Sequence, residues 1–148
     1  MESKGYRVLV CGGRKYGTVP RHIINKDKIL EAMRNAEAEK AFLREALDRL
    51  SNTIKIDTII DGDARGADRL AGRWAQDNEI KRESYPVTPK DWATLGKAAG
   101  NLRNQRMLDE GKPTLVVAFP GGSGTADMVK RAKDAGIPVY EVKYESNS

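Results

Sequence analysis

The sequence predicts an α/β fold, a three-layer Rossmann-like sandwich built on a mainly parallel sheet of about five strands. Three observations carry that expectation. Short apolar, β-branched runs alternate with stretches of helical periodicity along the whole chain. No hairpin signal interrupts the alternation, so successive strands need crossover helices and run parallel. Three of the runs end directly in glycine-bearing loops, as strands of open α/β sheets do where they feed a helix.

Tyr6 to Cys11 (YRVLVC) reads as a buried strand closed by Gly12-Gly13. From Lys26 to Leu50, apolar residues recur at three- and four-residue spacing among Glu, Lys, Arg and Ala, all good helix formers. That stretch is long for this chain and reads as two helices or as one projecting arm. Ile54 to Ile60 is a second strand, closed by Asp61-Gly62-Asp63. A helix over Ala67 to Asp77 follows, with Leu70, Ala71, Trp74 and Ala75 on one face. Lys81 to Val87 is a more polar strand suited to a sheet edge and ended by Pro86. Thr88 to Ala99 reads as a loop carrying Trp92. Asn101 to Glu110 is a helix stopped by Gly111. Thr114 to Phe119 is the most apolar strand and runs into Pro120-Gly121-Gly122. A helix over Thr125 to Ala135, ended by Gly136, leads to a last strand over Ile137 to Val142, and Tyr144 to Ser148 reads as a loose tail.

The length of 148 residues fits one domain, with an extended first helical region at about 26–51. No apolar run is long enough to cross a bilayer, the first residues lack the pattern of a secretory signal, and a single cysteine cannot form an internal disulfide. A cytoplasmic location is the resulting expectation. The net charge of +5 suits anionic partners, but basic residues interleave with acids rather than forming one tract, as on a solvated helix face.

The chemistry is expected at the three loops, because ligands of open α/β sheets bind off the carboxyl ends of the strands. They are Gly12-Gly13-Arg14, Gly62 to Asp68 (with Arg65, Gly66 and Ala67), and Pro120 to Thr125 (with Gly121, Gly122, Ser123 and Gly124). Glycine lets a ligand approach bare backbone, and a helix beginning at Ser123 to Thr125 would aim free N–H groups and its positive dipole end at an anion, most simply a phosphate. Ser123 and Thr125 would add hydroxyl donors. Each loop also has a plainer reading, as a tight strand-to-helix connection or a helix start beside a solvated Arg65. Trp92 either covers a ligand or anchors local packing. Arg103 and Asn104 open a helix where an arginine would grip a phosphate or simply face water. Neither G-x-x-x-x-G-K-[ST] nor a G-x-G-x-x-G after the first strand is present, which argues against Walker-type NTPases and NAD enzymes. Cys11 reads as a core filler. His22, the only histidine, supports neither a zinc cluster nor a catalytic triad, so no metal or other cofactor is expected.

Residues 7–14 and 64–71, Asp91-Trp92, 96–100, Arg103-Asn104-Gln105 and the stretch from Leu115 to Val139 resemble the YspA-related family of the SLOG superfamily. The resemblance implies a Rossmann-like fold that binds nucleotides or nucleotide-derived ligands. The cytokinin-activating LOG enzymes of that superfamily cleave a base from a nucleoside monophosphate and carry a PGGxGTxxE motif. Pro120 to Thr125 match its phosphate-holding half, and Met128 stands where the glutamate belongs. Methionine can neither stabilise an oxocarbenium ion nor activate water. Asp61, Asp63 or Asp68 would then be the carboxylates available for catalysis, Asp61-Gly62-Asp63 replacing the His-Gly-Gly more usual in YspA-like proteins.

Three functions follow. The first is binding or sensing of a nucleotide or ADP-ribose-like molecule. The second is hydrolysis or transfer at an N-glycosidic bond. The third is single-stranded nucleic-acid binding, as in the DNA-processing A proteins of the superfamily, and it ranks last because the chain has two Phe, two Trp and five Tyr and no basic tract. Relatives often pair through helices, which makes a homo-oligomer an expectation, and no membrane partner is expected.

Overall fold

A computed structural model describes residues 5–143; the tail read at Tyr144–Ser148 lies outside them. The elements are β1 (Tyr6–Cys11), α1 (Lys26–Thr53), β2 (Ile56–Asp61), α2 (Ala67–Asp77), β3 (Lys81–Ser84), α3 (Pro89–Leu95), α4 (Ala98–Gly111), β4 (Leu115–Ala118), α5 (Ser123–Asp134) and β5 (Val139–Glu141). The five strands form one all-parallel sheet in the order β3-β2-β1-β4-β5. The chain therefore steps outward from β1 to β3, then returns to β4 on the other side of β1. The reversal leaves a crevice at the carboxyl ends of β1 and β4.

Strand side chains alternate between two cores, as the two-residue period requires. Val8, Val10 and Ile59 face α1 and α2, where they meet Leu43, Leu47, Ala71 and Trp74. Leu9, Cys11 and Ile60 face α4 and α5, where they meet Met107, Met128 and Ala132. The indole N–H of buried Trp74 is satisfied by Asp48 Oδ1 on α1 at 2.8 Å. Both faces of the sheet are covered, which explains the near-continuous apolar runs of β1 and β4.

The long helical stretch is one helix. Asn25 caps it by accepting from the backbone N–H groups of Asp27 and Lys28, and it runs past Leu50 because Ile54 N–H still bonds Leu50 O. This is why β2 starts at Ile56 rather than Ile54. None of residues 26–35 is buried, so the first turns of α1 project beyond the body.

The segment expected as a loop over Thr88–Ala99 instead contains α3. Thr88 Oγ1 accepts from Asp91 N–H at 3.1 Å while Asp91 Oδ2 accepts from Thr88 N–H, and Pro89 occupies the first helical position. α4 also begins earlier than expected, at Ala98, which moves Arg103 and Asn104 from the start of the helix into its second turn. The polar edge strand β3 ends at Ser84, two residues before Pro86, as a strand that must stop before a missing N–H does.

Candidate functional site

The three predicted loops converge because all five strands are parallel and share one carboxyl edge. The loop after β1 is the centre. Gly13 N–H donates to Pro120 O at 3.0 Å, tying it to the loop after β4. Gly13 O accepts from Ala67 N–H at 3.2 Å, tying it to the loop after β2. Gly66 sits at φ 85°, and a Cβ there would run into Gly13 O and Arg14, so this crossing of two backbones admits only glycine. Gly12 packs just as closely: a Cβ on it would lie 2.5 Å from Ala67 Cβ.

Beside this junction opens a cleft of about 260 Å³, lined by Arg14, Gly62, Asp63, Ala64, Arg65, Arg69, Pro86, Val87, Trp92 and Arg103. Four arginines face one aspartate. Asp63 is itself engaged, 3.1 Å from Arg82 Nη2 and 3.6 Å from Arg69 Nε. The guanidinium of Arg14 lies over the Trp92 ring, 4.9 Å from its centroid. Arg103 anchors the cleft wall through Nη1, which donates to Gly62 O at 2.7 Å and Tyr85 O at 3.3 Å. Burial holds its pKa below the usual arginine value, Asp68 opposes that shift and the charge of Arg14 adds to it. A second groove of about 260 Å³ lies between α1 and β5, but Phe42, Ala46, Leu50, Tyr140 and Val142 give it a mainly apolar lining. It lacks the convergent polar groups of a small-molecule site.

On the other side of the junction, α5 starts at Ser123 with Gly122 as its N-cap and no side-chain cap. The N–H groups of a first helical turn have no intrahelical partner, so this end is open to an anion. Gly122 and Gly124 face open space, with nothing within 4 Å of a Cβ built on either. Thr125 lies in the same turn, its hydroxyl packed against Gly121.

The predicted residues thus divide. Arg14, Gly62, Asp63, Arg65, Trp92 and Arg103 share the cleft. Gly121, Gly122, Ser123, Gly124 and Thr125 form the adjoining helix start. Gly12, Gly13, Gly66 and Ala67 build the floor between them, and Ala67 is fully buried. Asn104 is 5% exposed and turned to α5, where its Nδ2 donates to Gly124 O at 3.1 Å and Asp127 Oδ2 at 3.0 Å. It braces the helix start instead of lining the cleft.

The three acids differ sharply. Asp61 is fully buried and gripped by Arg82, Nε to Oδ2 at 2.8 Å and Nη2 to Oδ1 at 2.9 Å, with Asp63 N–H donating to Oδ1 at 2.8 Å. Asp68, 6% exposed, lies behind the loop, its Oδ2 accepting from Gly62 N–H at 3.2 Å and Ala64 N–H at 3.3 Å. Burial, with the charge of Asp61 second, pushes its pKa up to about 7 against the donors that favour its ionised form. Met128 is fully buried in the α4–α5 core, so the motif's glutamate position does not face the cleft. Burial also pushes the Cys11 thiol far up, consistent with a core filler. Among the described residues, no three of His, Cys, Asp and Glu group to hold a metal ion, and no helix is long and apolar enough to cross a membrane.

Sequence reasoning did not single out Arg69, Pro86, Val87 or Arg82 as site residues. The signal for Pro86 and Val87 was available: they follow a parallel strand and so share its carboxyl edge. Arg82 carried no local signal, since it meets Asp61 across two strands.

Comparison with known proteins gives the chain's family and its fold. The model of a family described as YAcAr, the YspA, cpYpsA-related SLOG family, matches residues 6–94, a span that includes the first two loops and Trp92. Gene 61 protein of Mycobacterium phage D29 is 42% identical over 87 residues, covering 55% of this chain and 67% of that protein. The X-ray structure of DNA processing protein A from Streptococcus pneumoniae superposes with a TM-score of 0.62 at 19% identity, over 95% of this chain and 51% of that one. That likeness is one of fold, and this chain spans about half the length of that protein.

Proposed function

The chain belongs to the YspA, cpYpsA-related SLOG family, and on that premise we propose that it binds or senses a nucleotide or a nucleotide-derived, ADP-ribose-like small molecule. One observation carries the reading: a cleft with four arginines and an uncapped helix start lie on either side of the Gly13 junction, at the shared carboxyl edge of the parallel sheet. Helix N–H groups suit a phosphate, arginines grip phosphate oxygens in pairs, and an exposed indole offers a face to a base.

Gly122→Asp tests it. Nothing lies within 4 Å of a Cβ built on Gly122, so aspartate has room there and brings negative charge to the helix start. Calorimetric titration with purified nucleotides and ADP-ribose derivatives should show affinity at least about tenfold weaker, the loss of one charged hydrogen bond or more. Circular dichroism should be unchanged. Undiminished affinity in the folded variant would remove the helix start from the site, and tighter binding of a single-stranded oligonucleotide than of any nucleotide would favour a nucleic-acid ligand.

Asp68 supports a second reading, cleavage at an N-glycosidic bond. A carboxyl group poised near pH 7 behind a ligand loop has the protonation state a general acid needs. Release of free base from nucleotides, lost in Asp68→Asn, would support it; intact nucleotide after prolonged incubation would leave binding alone.

A further inference from the structure

We propose that Arg14 and Trp92 form a clamp for the nucleobase of the ligand, a planar ring entering between guanidinium and indole while Arg65 and Arg69 are left to face its phosphates. This rests on the cleft being the ligand site.

Trp92 is 38% exposed on α3, a helix with no buried residue, so its indole contributes little to any core. One edge of the ring lies over α4, where a Cβ on Gly100 would stand 3.6 Å from Trp92 Cη2. One face of the ring is already occupied by a flat cation, Arg14, which stands in for what a base would do there. The separation of 4.9 Å holds no third ring. Inserting one needs two van der Waals layers, about 7 Å, so the clamp must open by roughly 2 Å. Arg14 is exposed and its long side chain can swing. At the other wall, α3 runs from its N-cap Thr88 to its C-cap Gly96, which sits at φ 57° in open space. The chemistry also selects the ligand. A cation-rich cleft without an aromatic would take any phosphate, and an aromatic without cations would take any apolar ring. Only the two together favour a base joined to phosphate.

The test is calorimetric titration of wild type, Trp92→Ala, Trp92→Phe and Arg14→Lys with ADP, ribose 5-phosphate and inorganic pyrophosphate. Wild type should bind ADP more tightly than either base-free probe. Trp92→Ala should weaken ADP by about 5- to 150-fold, the range for removing one base–aromatic stack, and leave pyrophosphate unchanged. Trp92→Phe should keep most of the ADP affinity, and Arg14→Lys should lose more toward ADP than toward pyrophosphate because it keeps charge but not the plane. A second readout is fluorescence. Trp74 is buried, so ADP should quench emission in wild type and not in Trp92→Phe. Equal weakening of all three probes by Trp92→Ala, or none, overturns the clamp alone. No binding of any probe to wild type overturns the site and the clamp together.

Discussion

Arg82→Ala is expected to lower the unfolding free energy by about 3 kcal/mol, the lower end of the range for breaking a buried ion pair by removing one partner. The lower end applies because Arg82 keeps 34% of its side chain in solvent while that of Asp61 keeps none. The cost is the carboxylate left behind. Asp61 would retain Asp63 N–H at 2.8 Å and a long contact from Ser84 Oγ at 3.4 Å, too little to replace the guanidinium. Asp63 would also lose its 3.1 Å partner, loosening the floor of the cleft. For a chain of this size the melting temperature should fall by roughly 10 °C, read by thermal denaturation at neutral pH. Adding Asp61→Asn to Arg82→Ala should recover part of the loss by removing the stranded charge. A melting temperature within about 2 °C of wild type, less than 1 kcal/mol on the same scale, would mean the pair contributes nothing net.

Asp68 should make the protein less stable as pH rises from 4 to 8. Its carboxyl ionises near 3.8 in an ordinary setting and near 7 in the fold. Between those values the folded chain keeps a proton that the unfolded chain has released. Stability from this group is thus complete below about pH 4 and is lost as pH rises through 7. The full swing is on the order of 4 kcal/mol. Asp68→Asn should abolish that slope and be the more stable protein at pH 8, since its amide oxygen can still accept from the Gly62 and Ala64 N–H groups. Denaturant unfolding of both proteins at pH 5 and pH 8 measures it. Parallel losses in the two would place the slope elsewhere. Glu83, whose pKa Arg7 lowers chiefly by hydrogen bonding, acts oppositely at the acid end in both proteins and cancels in the difference.

Much of the fold was legible, for identifiable reasons. β1 and α2 lie where periodicity put them because each is read from one continuous pattern, a short run dominated by apolar and β-branched residues or an apolar stripe at helical spacing. α3 was legible too, through Thr88-Pro89-Lys90-Asp91, a capping box with proline at the first helical position, but proline, glycine and lysine made the segment read as loop. Asn104 was misplaced for another reason. Its partners, Gly124 and Asp127, are 20 and 23 residues away on α5, and no spacing in the sequence brings them to it.

By itself the sequence determined the alternation of strands and helices, the parallel sheet that follows from it, and hence the gathering of every strand-end loop at one edge. Those are consequences of local periodicity and of the crossover that parallel strands require. The tertiary structure alone decided which side chains of those loops face the cleft. Asp61 and Asp63 are two residues apart, yet one is sealed against Arg82 and the other faces the cleft, because the chain leaves β2 with Asp63 at φ 54°. Arg103 reaches Gly62 across 41 residues, and Arg14, in the loop after β1, meets Trp92 on α3. Such contacts depend on where packing sets distant elements, and pairwise placement of that kind is absent from any window of sequence.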